Sequence, residues 1–327
     1  MQAQSFDLSS FHGDLKAHRI HRFAHKAMAT VFEIFIQHEN AGYAQQAAFE
    51  AFNELDRLEQ ELSRFIPNSD IARINNLAQN ETISLGEAAF ECVQQCLRVH
   101  AETSGAFDIT VGPLVDIWRN QDKSPRTPAP EELETAQQRV GVQHFKLDEA
   151  QFTITLLSAH KVGLDLGAFG KGYAVDRLVD LLREWSIATA LIHGGMSSIF
   201  ARGAPFEGMN GWPIAINNPW NRAQTVTTLI LQDRAVSGSG LQKGQHIIDP
   251  RTAHPVAGPR AAWASTPTAA ISDGASTAFM LMSAEEVEQY CAAHEGSWAM
   301  LGALESRDEM AEEKFVQFGK AAGTQPV

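Results

Sequence analysis

Gly163-Leu-Asp-Leu-Gly-Ala-Phe-Gly-Lys-Gly-Tyr-Ala-Val-Asp176 reads as a glycine-punctuated turn that leads from a strand into a helix. Beyond the turn, Val175, Leu178, Val179 and Leu182 recur at helical spacing, which predicts a helix over 171–185 with one apolar stripe. Gly167, Gly170 and Gly172 let the backbone approach a ligand closely. Free amides at the helix start favour an anion, and Asp165 and Lys171 stand at the rim. The stretch is not a P-loop, because Gly172 rather than Ser or Thr follows the Gly-Lys pair. A bare structural turn explains the same residues, and the stretch alone does not choose between the two.

On the N-terminal side of this turn, Thr30 to Gln37 is rich in branched and aromatic residues and predicts a strand. Helical spacing follows over 44–65 and stops at Pro67-Asn68-Ser69-Asp70. A second helix is predicted over 86–103, ending at Ser104-Gly105. A proline-rich, charged surface loop covers 120–130 and leads into a short helix over 131–140, with strands at 145–147 and 152–156. On the C-terminal side, short strands are predicted at 190–193, 199–201, 213–216, 226–231 and 245–248, then helices from about Asp273 and Ala284. Helices and strands are segregated instead of alternating, so the expected class is α+β, with mainly antiparallel or mixed sheets and flanking helices. At 327 residues the chain has ample core, and the expected organisation is an N-terminal arm over 1–27 and one domain over 28–327.

The formal net charge of −13 argues against a general nucleic-acid or anionic-membrane binder, because both ask for a basic surface. No run approaches the roughly 20 apolar residues of a membrane-spanning helix. The polar, His-rich start lacks a signal-peptide segment, which reads as cytoplasmic, or as periplasmic if the N-terminus was trimmed. Cys92, Cys96 and Cys291 fit a reducing compartment and plain packing. His18, His21 and His25 lack the partners of a zinc site and read as a solvated basic arm.

Ser272-Asp-Gly-Ala-Ser-Thr-Ala278 packs a carboxylate and two hydroxyls into what reads as a helix start. On a helix, Asp273, Ser276 and Thr277 share one face, so their oxygens can converge. Hard oxygen donors of this kind suit Mg²⁺, which borrows further ligands from a phosphate. An N-cap Asp followed by small residues for tight packing is the competing explanation. His246-Ile-Ile-Asp-Pro-Arg-Thr252 brings a histidine able to bind or protonate a phosphate oxygen, or forms a turn capped by Asp249. Gly105-Ala-Phe-Asp-Ile-Thr-Val-Gly-Pro113 reads as a turn exposing Phe107 and Asp108. Gly238-Ser-Gly240 has the wrong spacing for a dinucleotide fingerprint.

In their order along the chain, these pieces resemble the FAD:protein FMN transferases, the ApbE-type flavin transferases. The matching segments are Met28-Ala-Thr30, Leu62-Ser-Arg-Phe65 with Asn68-Ser-Asp-Ile-Ala-Arg-Ile-Asn75, Gly105-Ala-Phe-Asp-Ile-Thr with Gly112-Pro-Leu and Trp118, Asp165 to Asp176, Val236-Ser-Gly238, His246 to Thr252, and Asp273-Gly-Ala-Ser-Thr277. The resemblance implies a T-fold-like architecture and Mg²⁺-dependent cleavage of the FAD pyrophosphate. FMN would go to a Ser or Thr hydroxyl of an acceptor protein, and AMP would leave. It implies metal ligation by Asp273 and Thr277, with Ser276 and the Ala168 carbonyl in or beside the shell. The flavin would stack on Met28 and Phe65, with Ala106, Phe107, Asp108, Asp165, Lys171 and Ile248 lining the FAD site. His246 would touch the phosphates, and with Asp273 and Thr277 it forms the expected catalytic set.

Three residues depart from the family pattern: Ala29 and Ala253 replace glycines, and Met196 stands where many members carry an acid after Gly-Gly. Two other readings keep the same residues. One makes water the acceptor, giving an FAD pyrophosphatase; the other is a non-catalytic FAD-binding protein. Asp165, Asp273 and Thr277 count against the second, because mere binding does not require a metal at the pyrophosphate.

Overall fold

The computed structural model describes residues 6–7, 19–120, 122, 124–206, 208–241, 247–307, 310–320 and 324–325. The chain divides into two compact units: Met1–Arg57, Lys171–Gln242 and Pro259–Val327 in the first, Leu58–Gly170 and Lys243–Gly258 in the second. Among the described residues, no helix is long and apolar enough to cross a membrane.

The first unit is built on an eight-stranded sheet. Its order is Met310–Gly319, Trp298–Arg307, Arg260–Thr266, Arg234–Gly240, Ser198–Arg202, Thr189–Gly194, Thr30–Gln37 and Ile20–Ala27. Every pairing within it is antiparallel. A four-stranded sheet of Phe6–Asp7, Trp212–Asn217, Thr225–Leu231 and Thr324–Gln325 completes the strands of this unit. Alternate residues of both sheets meet in one core. Phe35, Leu191, Ile199, Val236, Trp263 and Met300 come from the larger sheet, and Trp212, Ile214, Leu229 and Leu231 from the smaller. The opposite face of the large sheet receives the helix Ala269–Phe279, which packs on Arg234–Gly240 and Arg260–Thr266. Arg183, near the end of the helix Gly170–Glu184, lies over the Phe200 ring on that same face.

Residues 20–27 were expected in a solvated arm but form a strand instead. Their polar side chains are satisfied locally: His21 Nε2 lies 3.1 Å from the His38 carbonyl oxygen, and His25 Nε2 lies 2.7 Å from Asp56 Oδ1. His18 lies outside the described residues. The next strand carries Glu33, which His193 Nε2 meets at 2.8 Å and which also pairs with Arg22. These contacts, the His193 hydrogen bond foremost, hold the Glu33 carboxyl down to about 2 despite its partial burial.

Ala27 pairs with Thr30, so Met28-Ala29 forms a two-residue hairpin turn with φ of 49° and 57°. Such turns need positive φ at both central residues, which is why Asn-Gly pairs dominate them. An alanine held there costs roughly 1–2 kcal/mol, part of which glycine returns through its unfolded-state entropy. Ala29→Gly is therefore expected to raise stability by about 0.5–1 kcal/mol. A denaturation midpoint that stays put or falls would contradict the strain.

The second unit carries a three-stranded antiparallel sheet of Thr82–Ser84, Thr153–Leu156 and Phe145–Asp148. Beside it are the helices Asp70–Asn75, Glu87–Glu102, Gly112–Ile117 and Pro130–Gln137. Leu114, Ala136, Ile248 and Ala253 form a separate small core here, supported by Trp118, whose indole N–H donates to the Ala253 carbonyl at 2.9 Å. Cys92, Cys96 and Cys291 are buried free thiols, as packing predicts. The segment before Asp165 is not a strand. Gly163 makes one isolated parallel bridge with Val111, and Asn75 secures Leu164 by bonding both its N–H and its C=O.

Candidate functional site

The helix Ala269–Phe279 of the first unit begins four residues earlier than Asp273, so the carboxylate lies inside the helix and not at its start. Thr268 is the N-cap, its hydroxyl accepting from the Ile271 amide. Asp273, Ser276 and Thr277 do share a face. The Ser276 and Thr277 hydroxyls donate to the Asp273 carbonyl at 3.0 and 3.3 Å, which fixes both rotamers. Ser239, on the strand Arg234–Gly240, completes the cluster, with its hydroxyl 2.9 Å from Ser276 Oγ and 3.1 Å from Thr277 Oγ1.

The Asp273 side chain is only 4% exposed, yet it is compensated. Lys171 Nζ lies 3.3 Å from Oδ2, and the Gly172 amide donates to the same oxygen at 3.1 Å. Oδ1 takes no hydrogen bond from the described residues. Both Oδ2 contacts come from the first turn of Gly170–Glu184. Here the glycine at 172 has a physical reason: a Cβ would stand 2.2 Å from the Ala269 carbonyl oxygen and 2.8 Å from Asp273 Cβ.

One turn further along the same helix, Asp176 accepts from the Ala269 and Ala270 amides at 2.7 and 2.8 Å. Burial pushes its carboxyl up to about 7, while the two amide bonds pull it down.

The second unit presents its own group. The Asp165 carboxylate accepts from the Gly167 amide at 2.8 Å and lies 3.4 Å from Arg64 Nη1. Arg64 also donates to Asp116 at 2.6 Å, and its guanidinium lies 5.1 Å from the centroid of the Phe65 ring. Phe65 is 79% exposed, an unusual state for a large apolar side chain. Ala168 occupies the turn just before the helix Gly170–Glu184.

Phe107 and Asp108 were expected to be exposed, but both are buried. Phe107 packs against Phe169 with ring centroids 5.7 Å apart, and Asp108 accepts from the Thr110 amide and hydroxyl at 2.7 and 2.6 Å. Ala106 and Ile248 are buried as well. Asp249 accepts from the Arg251 amide and guanidinium, as a locally capped turn would. His246, and the first half of the strand expected over 245–248, lie outside the described residues; Ile248 makes one bridge to Pro255.

A model of the ApbE family matches residues 28–301. The chain belongs to the ApbE family. The FAD:protein FMN transferase of Salmonella typhimurium is 28% identical over 278 residues, 81% of this chain and 79% of that protein. The protein of the same name from Escherichia coli K12 is 28% identical over 71% of this chain and 69% of its own length. Among solved structures, the apo form of the flavinyl transferase ApbE of Pseudomonas stutzeri matches with a TM-score of 0.80 at 23% identity, covering 91% of this chain and 94% of that one. The flavin transferase ApbE of Vibrio cholerae matches with a TM-score of 0.78 at 23% identity, covering 90% and 97%. The ApbE fold is thus the fold of this chain, and the expected α+β class with antiparallel sheets is borne out.

Proposed function

We propose that this chain transfers FMN from FAD to a Ser or Thr hydroxyl of an acceptor protein, with a divalent cation, Mg²⁺ by preference, held at Asp273. The observation that carries the reading is the buried carboxylate of Asp273, whose Oδ1 takes no hydrogen bond from the described residues, on a helix face shared with the Ser276 and Thr277 hydroxyls. Family membership and the names of the relatives supply the flavin chemistry.

The donor set fits the cation. Among the described residues no cluster of three or more His, Cys, Asp or Glu could hold a metal. A site with one carboxylate and several neutral oxygens suits a hard ion that completes its shell with phosphate oxygens and water, not a soft transition metal. Asp273 and Thr277 are the ligands, with Ser276 as a further candidate. When bound, the cation neutralises the charge on the pyrophosphate and on the departing AMP.

In the transfer, the acceptor oxygen forms a bond to the FMN phosphorus, the bond from that phosphorus to the bridging oxygen breaks, and the hydroxyl proton is released. AMP carries the bridging oxygen away. Such displacements depend on positioning and charge neutralisation more than on covalent help. Lys171 brings a cationic group to the Asp273 carboxylate and can follow a phosphate oxygen. Asp165, held by Arg64 and Gly167, and the exposed face of Phe65 are the groups of the second unit available to FAD. His246 is proposed as a phosphate contact.

AMP release from FAD, measured with Mg²⁺ and with or without a protein bearing an acceptor Ser/Thr, tests the reading. Release only with acceptor, together with a mass increase matching FMN, is the expected result. Equal release without acceptor would make water the acceptor, and tight FAD binding with no AMP in either case would leave a binding protein. Phe65→Ala is expected to weaken FAD binding by about 1–3 kcal/mol, the worth of a lost aromatic platform. Because Phe65 is exposed, the melting temperature should barely move. Fluorescence titration with FAD checks this, and an unchanged affinity places the ring elsewhere.

A further inference from the structure

The geometry points to Asp176 as a positioning residue that sets the metal-ligand helix in register. Its carboxylate clamps the first two amides of Ala269–Phe279, the helix that carries Asp273, Ser276 and Thr277. The assignment rests on the reading that Asp273 and Thr277 hold a divalent cation.

Two helices are tied together at two levels. At the lower one, the Gly172 amide and Lys171 ammonium meet Asp273 Oδ2 at 3.1 and 3.3 Å. At the upper one, Asp176 Oδ1 and Oδ2 each take one amide, from Ala269 and Ala270, at 2.7 and 2.8 Å. Helix-start amides have no partner within their own helix, so a carboxylate from a neighbouring helix satisfies them and favours the positive end of the dipole. Thr268 already serves as N-cap through the Ile271 amide. The bidentate contact from Asp176 is therefore additional to ordinary capping, and it fixes both the rotation and the axial position of the ligand helix. The missing Cβ of Gly172 allows the approach that this clamp requires. Both Asp176 oxygens are engaged by backbone amides, so it acts through the helix that carries Asp273 and Thr277 and not as a ligand itself.

A group that orients metal ligands typically contributes about 10–100-fold in affinity or activity when removed. The test uses Mn²⁺ as the probe, read by electron paramagnetic resonance on the full chain with FAD present. Asp176→Asn keeps the shape but turns an amide N–H₂ toward one backbone donor. It is expected to weaken Mn²⁺ binding about 10-fold or more, and high Mn²⁺ should restore most of the turnover because the ligands are intact. FAD affinity measured without metal should stay at the wild-type value, which a general loss of packing would not predict. Ala269→Pro breaks the clamp from the other side. Proline is tolerated at a first helical position, and Thr268 before it is already extended, at φ −126° and ψ 150°. The same loss of Mn²⁺ affinity is expected there.

Asp273→Ala separates the two ideas. Wild-type Mn²⁺ affinity in that variant would overturn the metal site and the clamp together. Loss in Asp273→Ala with wild-type affinity in folded Asp176→Asn or Ala269→Pro would overturn the clamp alone.

Discussion

Asp273→Ala is expected to abolish metal-dependent AMP release from FAD in a protein that still folds. The loss of turnover should exceed the roughly 10–100-fold cost of removing a mere supporting group, because the only carboxylate on the ligand face is gone. The stability cost is bounded by what the carboxylate now satisfies. Truncation removes the acceptor of the Gly172 amide and one partner of the Lys171 ammonium. A buried donor stripped in this way costs about 1–3 kcal/mol, and Lys171, about a fifth exposed, can turn toward solvent. Against a usual total of about 5–15 kcal/mol, the fold survives. Chromatographic detection of AMP, beside a thermal melt, reads both quantities. Turnover within a few-fold of wild type would move the metal off this helix.

The core of the candidate site was legible because its spacing is local. Asp273, Ser276 and Thr277 meet through helical periodicity alone, and periodicity also gave the helices Ala41–Leu62 and Glu87–Glu102 to within a few residues. Ser239 and Asp176 were given no role because their contacts reach across 37 and 93 residues. The helix start at Ala269 was missed for a related reason. Asp273 looks like a cap by residue type, while the true cap, Thr268, is assisted by a carboxylate from another helix. The strand Arg260–Thr266 is buried at nearly every position, so it shows no alternation to read. Ile20–Ala27 presents the opposite difficulty: an edge strand whose histidines and arginine find partners on neighbouring elements looks like a solvated arm.

The three departures from the family pattern share a physical feature that residue identity alone does not show. Ala29, Met196 and Ala253 have φ of 57°, 60° and 63°, all in the left-handed region where glycine, or a short acid or amide, is favoured. At each of these turns the chain holds a left-handed backbone without the residue type that eases it. Ala253 is fully buried in the small core of the second unit, where its methyl has packing to offset the strain. Ala29 is exposed and has no such compensation, which is why the glycine substitution is expected to stabilise there.

Gly172→Ala is the smallest change with a large expected effect. The added methyl carbon would lie 2.2 Å from the Ala269 carbonyl oxygen and 2.8 Å from Asp273 Cβ, and neither atom is the end of a flexible side chain. The helices Gly170–Glu184 and Ala269–Phe279 must move apart by an ångström or so (about 1 Å restores ordinary contact). Overpacking of this kind costs about 1–3 kcal/mol, partly offset by the better helix propensity of alanine. The functional cost is larger. The same shift stretches the Gly172 amide and Lys171 contacts to Asp273 and draws Asp176 from the Ala269 and Ala270 amides. A displacement near 1 Å in a positioned site costs on the order of 10²-fold in rate. Gly172→Ala is therefore expected to lose about two orders of magnitude in AMP release while melting only several degrees lower. The pattern matters as much as the size. A variant that melts lower but turns over normally once folded would show that the approach at Gly172 serves packing alone, and that Asp273 does not need the neighbouring helix to hold its place.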